Sequence, residues 1–201
     1  MAVGRPRGYD PEQVEDTAMK LFWAHGFDGV SISDVTAATG LNRRSIYAEF
    51  GSKEQLFERA MRRYLAGPSS YTADALRRST AREVAEAMVH GAADAVSGDV
   101  RGCLTVGEAP GLAEWREATV QALAERFATA VAGGELPDVD TLALARWIAA
   151  VCQGIAIQAR SGADRADLHA IADLALTGWP SKSMPKTRPG DAPSRGRRPR
   201  G

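Results

Sequence analysis

The stretch from Ser31 to Lys53, SISDVTAATGLNRRSIYAEFGSK, leaves a chain like this the fewest choices. Ser31, with Asp34 three residues on, is a helix-start signal in which each side chain answers the other's backbone N–H. Val35 and Thr36 begin the inward side of a short helix. Thr39-Gly40-Leu41 is a turn, with Gly40 supplying a backbone conformation that costs other residues more. Asn42 caps a second helix through Phe50, on which Leu41, Ile46 and Phe50 fall at inward spacing. The outer side carries Arg43, Arg44, Ser45, Tyr47 and Ala48: two guanidinium forks, a hydroxyl, a phenol and one small residue for close approach. This is the pattern of a helix-turn-helix whose second helix suits a major groove.

The flanks extend the pattern. Asp10-Pro11 starts a helix with Gln13 as capping partner and Val14, Ala18, Leu21 and Phe22 along one face; Gly26 ends it. Ser52 and Gln55 restart a helix after Gly51. Lys53 falls in its first turn, where exposed N–H groups favour phosphate. That helix runs to about Ala66, and Gly67-Pro68 breaks it.

Residues 67–180 read as a helical body, with helices expected at about 70–78, 81–96, 103–109 (short and irregular), 112–132, 140–160 and 165–177. Alanine is abundant and β-branched alternation nearly absent, so the fold class is all-α with about nine helices. The domain layout follows: a basic arm 1–9, a helix-turn-helix DNA-binding head 10–66, a separate helical body 67–180, and a basic tail 181–201 without apolar periodicity. Formal charge is balanced over 1–66, −6 over 67–180 and +6 over 181–201. DNA affinity in the head must therefore come from arrangement, helped by Arg5 and Arg7 of the arm lying in a minor groove or along phosphate.

From about Asp10 to Leu56 the chain resembles the TetR family of transcriptional regulators. Ala18, Leu21-Phe22, Gly26-Phe27, Ser31, Val35, Gly40-Leu41, Ile46-Tyr47, Phe50, Ser52-Lys53-Glu54 and Leu56-Phe57 carry the resemblance. Thr36 and Glu49 depart from the family's pattern; an acid at 49 weakens any phosphate contact there. The resemblance implies that Tyr47 and Lys53 touch phosphate. Ser31 and Ser33 are further candidates for the DNA face, and Arg43 and Arg44 are the candidate base readers. It also implies a homodimer through the last two long helices. The residues agree: helix 140–160 is apolar nearly all round, and one side needs a partner subunit as cover. Leu144, Ile148, Val151, Gly154, Ile155, Leu168, Ile171 and Leu174 are the expected interface.

The expected function is a homodimeric regulator, a repressor released from a palindromic double-stranded DNA operator by a small-molecule effector. Met88, Cys103, Val106, Trp115, Leu123, Phe127 and Trp147 are the candidate pocket lining. The alternative is a thiol sensor of oxidants or electrophiles, since Cys103 follows Arg101-Gly102 at an expected helix start. Cys152, mid-helix among apolar residues, reads as packing. Glu86, His90 and Asp94 share a helix face, but a solvated polar face outweighs a metal site. No HExxH, CxxC pair, phosphate-cradling loop or nucleophile elbow occurs, so neither an enzyme nor a cofactor is expected. The N-terminus lacks an apolar run and two cysteines make no disulfide framework, which points to the cytoplasm; Arg146, Gln153 and Gln158 argue against a membrane span at 141–159.

Overall fold

Capping fixes where the helices begin. The Ser31 backbone N–H donates to the Asp34 carboxylate at 2.7 Å, and the Asp34 N–H returns to Ser31 Oγ at 3.3 Å. Ser52 and Gln55 repeat the exchange at 2.9 and 3.2 Å. Gly40 closes the first of these helices at φ +71°, the left-handed turn that brings the next helix across it. Asp10 works alone, accepting from the Glu12 N–H at 2.9 Å instead of sharing a box with Gln13.

The computed structural model describes residues 8–98 and 100–181. Among them are nine α-helices: α1 (Pro11–His25), α2 (Ile32–Thr39), α3 (Arg43–Phe50), α4 (Lys53–Ala66), α5 (Tyr71–Leu76), α6 (Ala81–Ala95), α7 (Leu112–Ala132), α8 (Thr141–Arg160) and α9 (Arg165–Thr177). The all-α expectation stands. Arg5, Arg7 and the tail from 182 lie outside the described residues.

The short helix expected at 103–109 is absent; that segment is a run of turns. Glycines at 102 and 107 and Pro110 disfavour a helix. Its carbonyls are taken by arginines from elsewhere: Arg116 Nη1 donates to Thr105 O and Gly107 O at 2.9 Å, and Arg160 reaches Cys103 O at 3.4 Å.

In the head, α1 packs along α4 and α2–α3 closes one side. Phe57 meets Phe22 and Phe27 edge-on at 5.1 and 5.2 Å, over buried Val35, Ile46, Phe50 and Leu56. In the body, α6 lies against α5, α8 and α9, and α7 runs along α8. By length and composition α8 could cross a membrane. Here Leu144, Ala145, Ile148, Ile155, Ala156 and Ala159 bury one side of it within the body.

Candidate nucleic-acid interface and effector cavity

The head sorts its charges by helix. On α4, Arg63 donates to Asp16 of α1 at 2.5 Å, and Arg59 pairs with Glu15 at 3.3 Å. These arginines clamp the scaffold. Glu49 sits 3.8 Å from Arg59 and accepts from the Tyr9 hydroxyl at 3.4 Å, so its charge is answered inside the head. The arginines of α3 face outward instead, and Tyr47 beside them is 48% exposed.

Of the sequence-predicted DNA residues that the structure describes, Ser33 of α2 and Arg43, Arg44 and Tyr47 of α3 are solvent-exposed. Arg43 Nη2 donates to Ser33 Oγ at 2.6 Å, joining α3 to α2. Ser31 Oγ is committed to Asp34 at 2.7 Å, and that bond, with the backbone N–H, holds the Asp34 carboxyl below the usual range. The Ser45 N–H is held by Asn42 Oδ1 at 2.9 Å, and its side chain is half-buried. Lys53 begins α4 with Nζ 4.1 Å from the centre of the Phe27 ring, a cation–π contact that keeps the ammonium at the helix start.

The body holds a small, mostly apolar cavity of ≈ 50 Å³, opening into a wider mouth. Met88, Cys103, Val106 and Trp115 line it, as expected, together with Tyr71, Thr105, Arg116, Thr119, Cys152 and Gln153. Leu123, Phe127 and Trp147 do not. The cavity reaches only the first turns of α7, through Trp115 and Thr119, whereas Leu123 and Phe127 lie further on and fully buried. Phe127 packs edge-on to Trp179 at 5.6 Å, and Trp147 lies beside Gly178.

One wall of the cavity is also a link to the head. Trp23 of α1 donates through Nε1 to Gly102 O at 2.7 Å. Tyr64 of α4 donates its hydroxyl to Cys103 Sγ at 3.1 Å, and the two rings pack edge-on at 5.0 Å. Thr105 Oγ1 is 2.9 Å from the same sulfur. Burial, then the neighbouring Cys103, pushes the Tyr64 phenol up, so it stays a neutral donor. Gly102 is required twice over: φ is +92°, and a Cβ would run into the Arg160 side chain. Trp23, Tyr64, Arg116 and Arg160 escaped sequence reading because their partners lie 9 to 79 positions away with no local signature. Burial, with a contribution from Cys103, pushes the Cys152 thiol up to about 12, which leaves it inert.

The family described as "Bacterial regulatory proteins, tetR family" matches residues 16–60. The HTH-type transcriptional repressor ComR of Escherichia coli (strain K12) is 31% identical over 193 residues, 88% of this chain and 92% of its own length. This chain belongs to the TetR family. Its relatives include BdcR of the same organism, also named a transcriptional repressor, 39% identical over 51% of this chain and 54% of its own. Among solved structures, a cysteine mutant of the TetR family regulator CifR bound to 26-bp operator DNA superposes with a TM-score of 0.81, at 32% identity over 88% of this chain and 100% of the other. The TetR-family chain is thus a DNA-binding transcriptional regulator, not an enzyme.

The expected dimer residues of this TetR-family regulator divide. Leu144, Ile148, Ile155 and Leu168 are buried within their own chain, which leaves little of their surface for a partner. Periodicity marks an all-round apolar helix but not which side its own domain covers. Val151, Gly154 and Ile171 are half-buried, and Leu174 is 72% exposed. Leu142 and Ile157 of α8 are exposed too and were missed. The triad Glu86, His90 and Asp94 also separates: Glu86 pairs with Arg82 at 2.6 Å, while His90 and Asp94 turn to α9.

Proposed function

We propose that this TetR-family regulator is a homodimeric repressor that grips a palindromic operator and lets go when a small, largely apolar molecule fills the cavity. The observation that carries this reading is the shared wall: Gly102 and Cys103 border the cavity segment and are bonded to Trp23 and Tyr64 of the head. A ligand that displaces this segment moves α1 and α4 with it.

The outward faces of α8 and α9, with Val151, Gly154, Ile157, Ile171 and Leu174, suit a four-helix bundle made with a second copy. In such a dimer the two α3 helices must stand ~34–36 Å apart to enter successive major grooves. A ligand with higher affinity for another spacing lowers operator affinity by the same factor. Arg43 and Arg44 read bases; Tyr47 and Lys53 hold phosphate. Relatives named as repressors, and one solved on operator DNA, support the assignment. The cytoplasm, where both thiols stay reduced, is the compartment it fits. The test is selection of bound sequences from random DNA, then titration of that operator with an apolar compound library. A two-fold symmetric site and ligand-dependent release are expected; an asymmetric site, or tight binding by a monomer, sinks the reading.

A second reading has its own observation. The hydroxyls of Tyr64 and Thr105 converge on Cys103 Sγ, at the edge of the cavity. Any group added to that sulfur displaces the Tyr64 bond. Under this reading an electrophile or oxidant entering the cavity releases DNA, and Cys103→Ser abolishes that response while keeping operator binding. Equal release from the variant and the wild type returns Cys103 to packing.

A further inference from the structure

Among the described residues, Trp115 is the one side chain that borders both the body cavity and a second groove. That groove, ≈ 180 Å³, runs between α4 of the head and the start of α7 in the body. Phe57, Met61 and Leu65 line it from α4, and Pro110 and Leu112 from the other side. The charged residues along it, Glu58 and Arg62, pair with each other at 3.2 Å. The groove is thus apolar and carries no net charge.

Neither space alone suits an effector. The body cavity, at ≈ 50 Å³, holds little more than water. A water's share of liquid volume is ~30 Å³, whereas ligand pockets run from ~300 Å³ upward. What divides the two spaces is a lightly held ring. Of the four tryptophans, Trp23 bonds Gly102 O through Nε1, Trp179 packs on Phe127, and Trp147 packs on the core. Trp115 lies outside that core. Among the described residues its indole N–H has no hydrogen-bond partner and its ring stacks on no other. It sits in the first turn of α7, whose cap, Gly111, supplies no side-chain hydrogen bond. Turning the indole aside therefore breaks no hydrogen bond and joins the cavity to the groove.

The two ends of the joined space differ in chemistry. The groove end offers Phe57, Met61, Leu65 and Leu112. The cavity end carries Arg116, Thr119 and Gln153. Arg116 Nη1 donates to the carbonyls of Thr105 and Gly107. Its Nη2 has Glu108 at 3.9 Å, beyond hydrogen-bond reach, on a side chain that is 93% exposed. A guanidinium with an unspent donor beside an apolar space suits a carboxylate.

We propose that the effector site is bipartite and takes an unbranched alkyl carboxylate. The carboxylate lies against Arg116 in the body cavity, Trp115 turns aside, and the alkyl tail enters the groove under α4. There the tail wedges α4 of the head away from α7 of the body and favours a state with the head displaced. This deepens the ligand-release reading, and its last step rests on that reading.

Titration of the full chain with straight-chain carboxylates, from butanoate to decanoate, tests the site without DNA. Affinity should climb with length, roughly threefold to fourfold per CH₂. The Trp115 indole N–H signal, identified by its loss in Trp115→Phe, should shift with decanoate and not with acetate. Leu65→Trp, at a half-buried position on the groove, fills the place of the tail. It should cut decanoate affinity roughly tenfold or more and leave butanoate as in the wild type, which also reports that the variant is folded. Arg116→Gln should lower octanoate affinity several-fold toward that of octanol and leave octanol itself unchanged. Affinity that does not depend on length, equal decanoate binding by wild type and Leu65→Trp, or an unmoved Trp115 signal overturns the proposal. So does octylammonium bound as tightly as octanoate. Decanoate should release operator from the wild type and not from Leu65→Trp. If the binding results are as expected but operator is retained, the bipartite site stands and it is the release reading that fails.

Discussion

The Tyr64 hydroxyl and the Cys103 sulfur lie 3.1 Å apart, and this buried bond ties the last helix of the head to the rim of the body's cavity. Beside it, Trp23 holds the next carbonyl, Gly102 O, at 2.7 Å. The two bonds fall on adjacent residues of one segment, so a shift of that segment reaches α1 and α4 together.

Tyr64→Phe keeps the ring that packs on Trp23 and removes only the donor. Cys103 Sγ retains Thr105, so the expected stability loss is ~0.5–1.5 kcal/mol. The functional consequence is larger. Ligand- or thiol-induced release of operator should weaken, while affinity without ligand changes little. Binding curves with and without the releasing agent, for wild type and variant, check this. An unchanged release factor would mean that the signal leaves the cavity by another route.

Leu174→Arg should separate dimer from monomer without unfolding either. The side chain is 72% exposed in the single chain, so the body loses little packing. In a bundle with a partner the same guanidinium would be buried without a counter-charge. Light scattering should give a monomer mass with unchanged helical circular dichroism. Ile155→Asp is the contrast: Ile155 is fully buried within its own chain, and an unpaired charge there should cost ~3–5 kcal/mol and unfold the body. A variant Leu174→Arg that remains dimeric would move the interface elsewhere.

The head was legible because its signals are local. Ser31 with Asp34, Gly40, Asn42, and Ser52 with Gln55 are all read within four residues, and the structure uses each of them. The body was legible only in outline. Helix 103–109 failed because glycine, proline and distant arginines outcompete a short helix for its carbonyls. The pocket set failed at Leu123 and Phe127 because periodicity finds the inward side of α7 but not how far along it the packing stays open. His169 drew no notice since its partner, His90, lies 79 positions earlier.

Arg43→Ala and Arg44→Ala should each be tested by site selection. A base-reading arginine makes a bidentate contact to guanine, so its loss should cost ~1–3 kcal/mol per half-site and relax one position of the consensus. Arg43 is the better braced of the two, through Ser33 at 2.6 Å, and Ser33→Ala should therefore blunt discrimination at the same position as Arg43→Ala. Tyr47→Phe should lower affinity with the consensus intact, as expected of a phosphate contact. Wild-type affinity and consensus in both arginine variants would show that α3 is not the reader.

Acid should open the head through Asp16. The hydrogen bond from Arg63 holds its carboxyl below the usual carboxylate range; burial pulls the other way, and the Arg63 and Lys20 charges add to the lowering. A carboxylate with a depressed folded pKa stabilises the fold above its unfolded value, ~3.9, and that contribution is lost as pH falls through the folded value. Asp16→Asn lacks the contribution at every pH. The wild type should therefore melt higher than the variant at pH 7, and the two curves should converge below pH ~4. The side chain is 46% exposed, so the gap at pH 7 should be small and shrink with added salt. Arg63 keeps Glu12 and Glu15 within 3.5 and 3.7 Å, which limits the loss further. Thermal melts at pH 7 and pH 3, each at low and high salt, decide it. A gap that persists at pH 3 would assign the effect of the substitution to packing and not to charge.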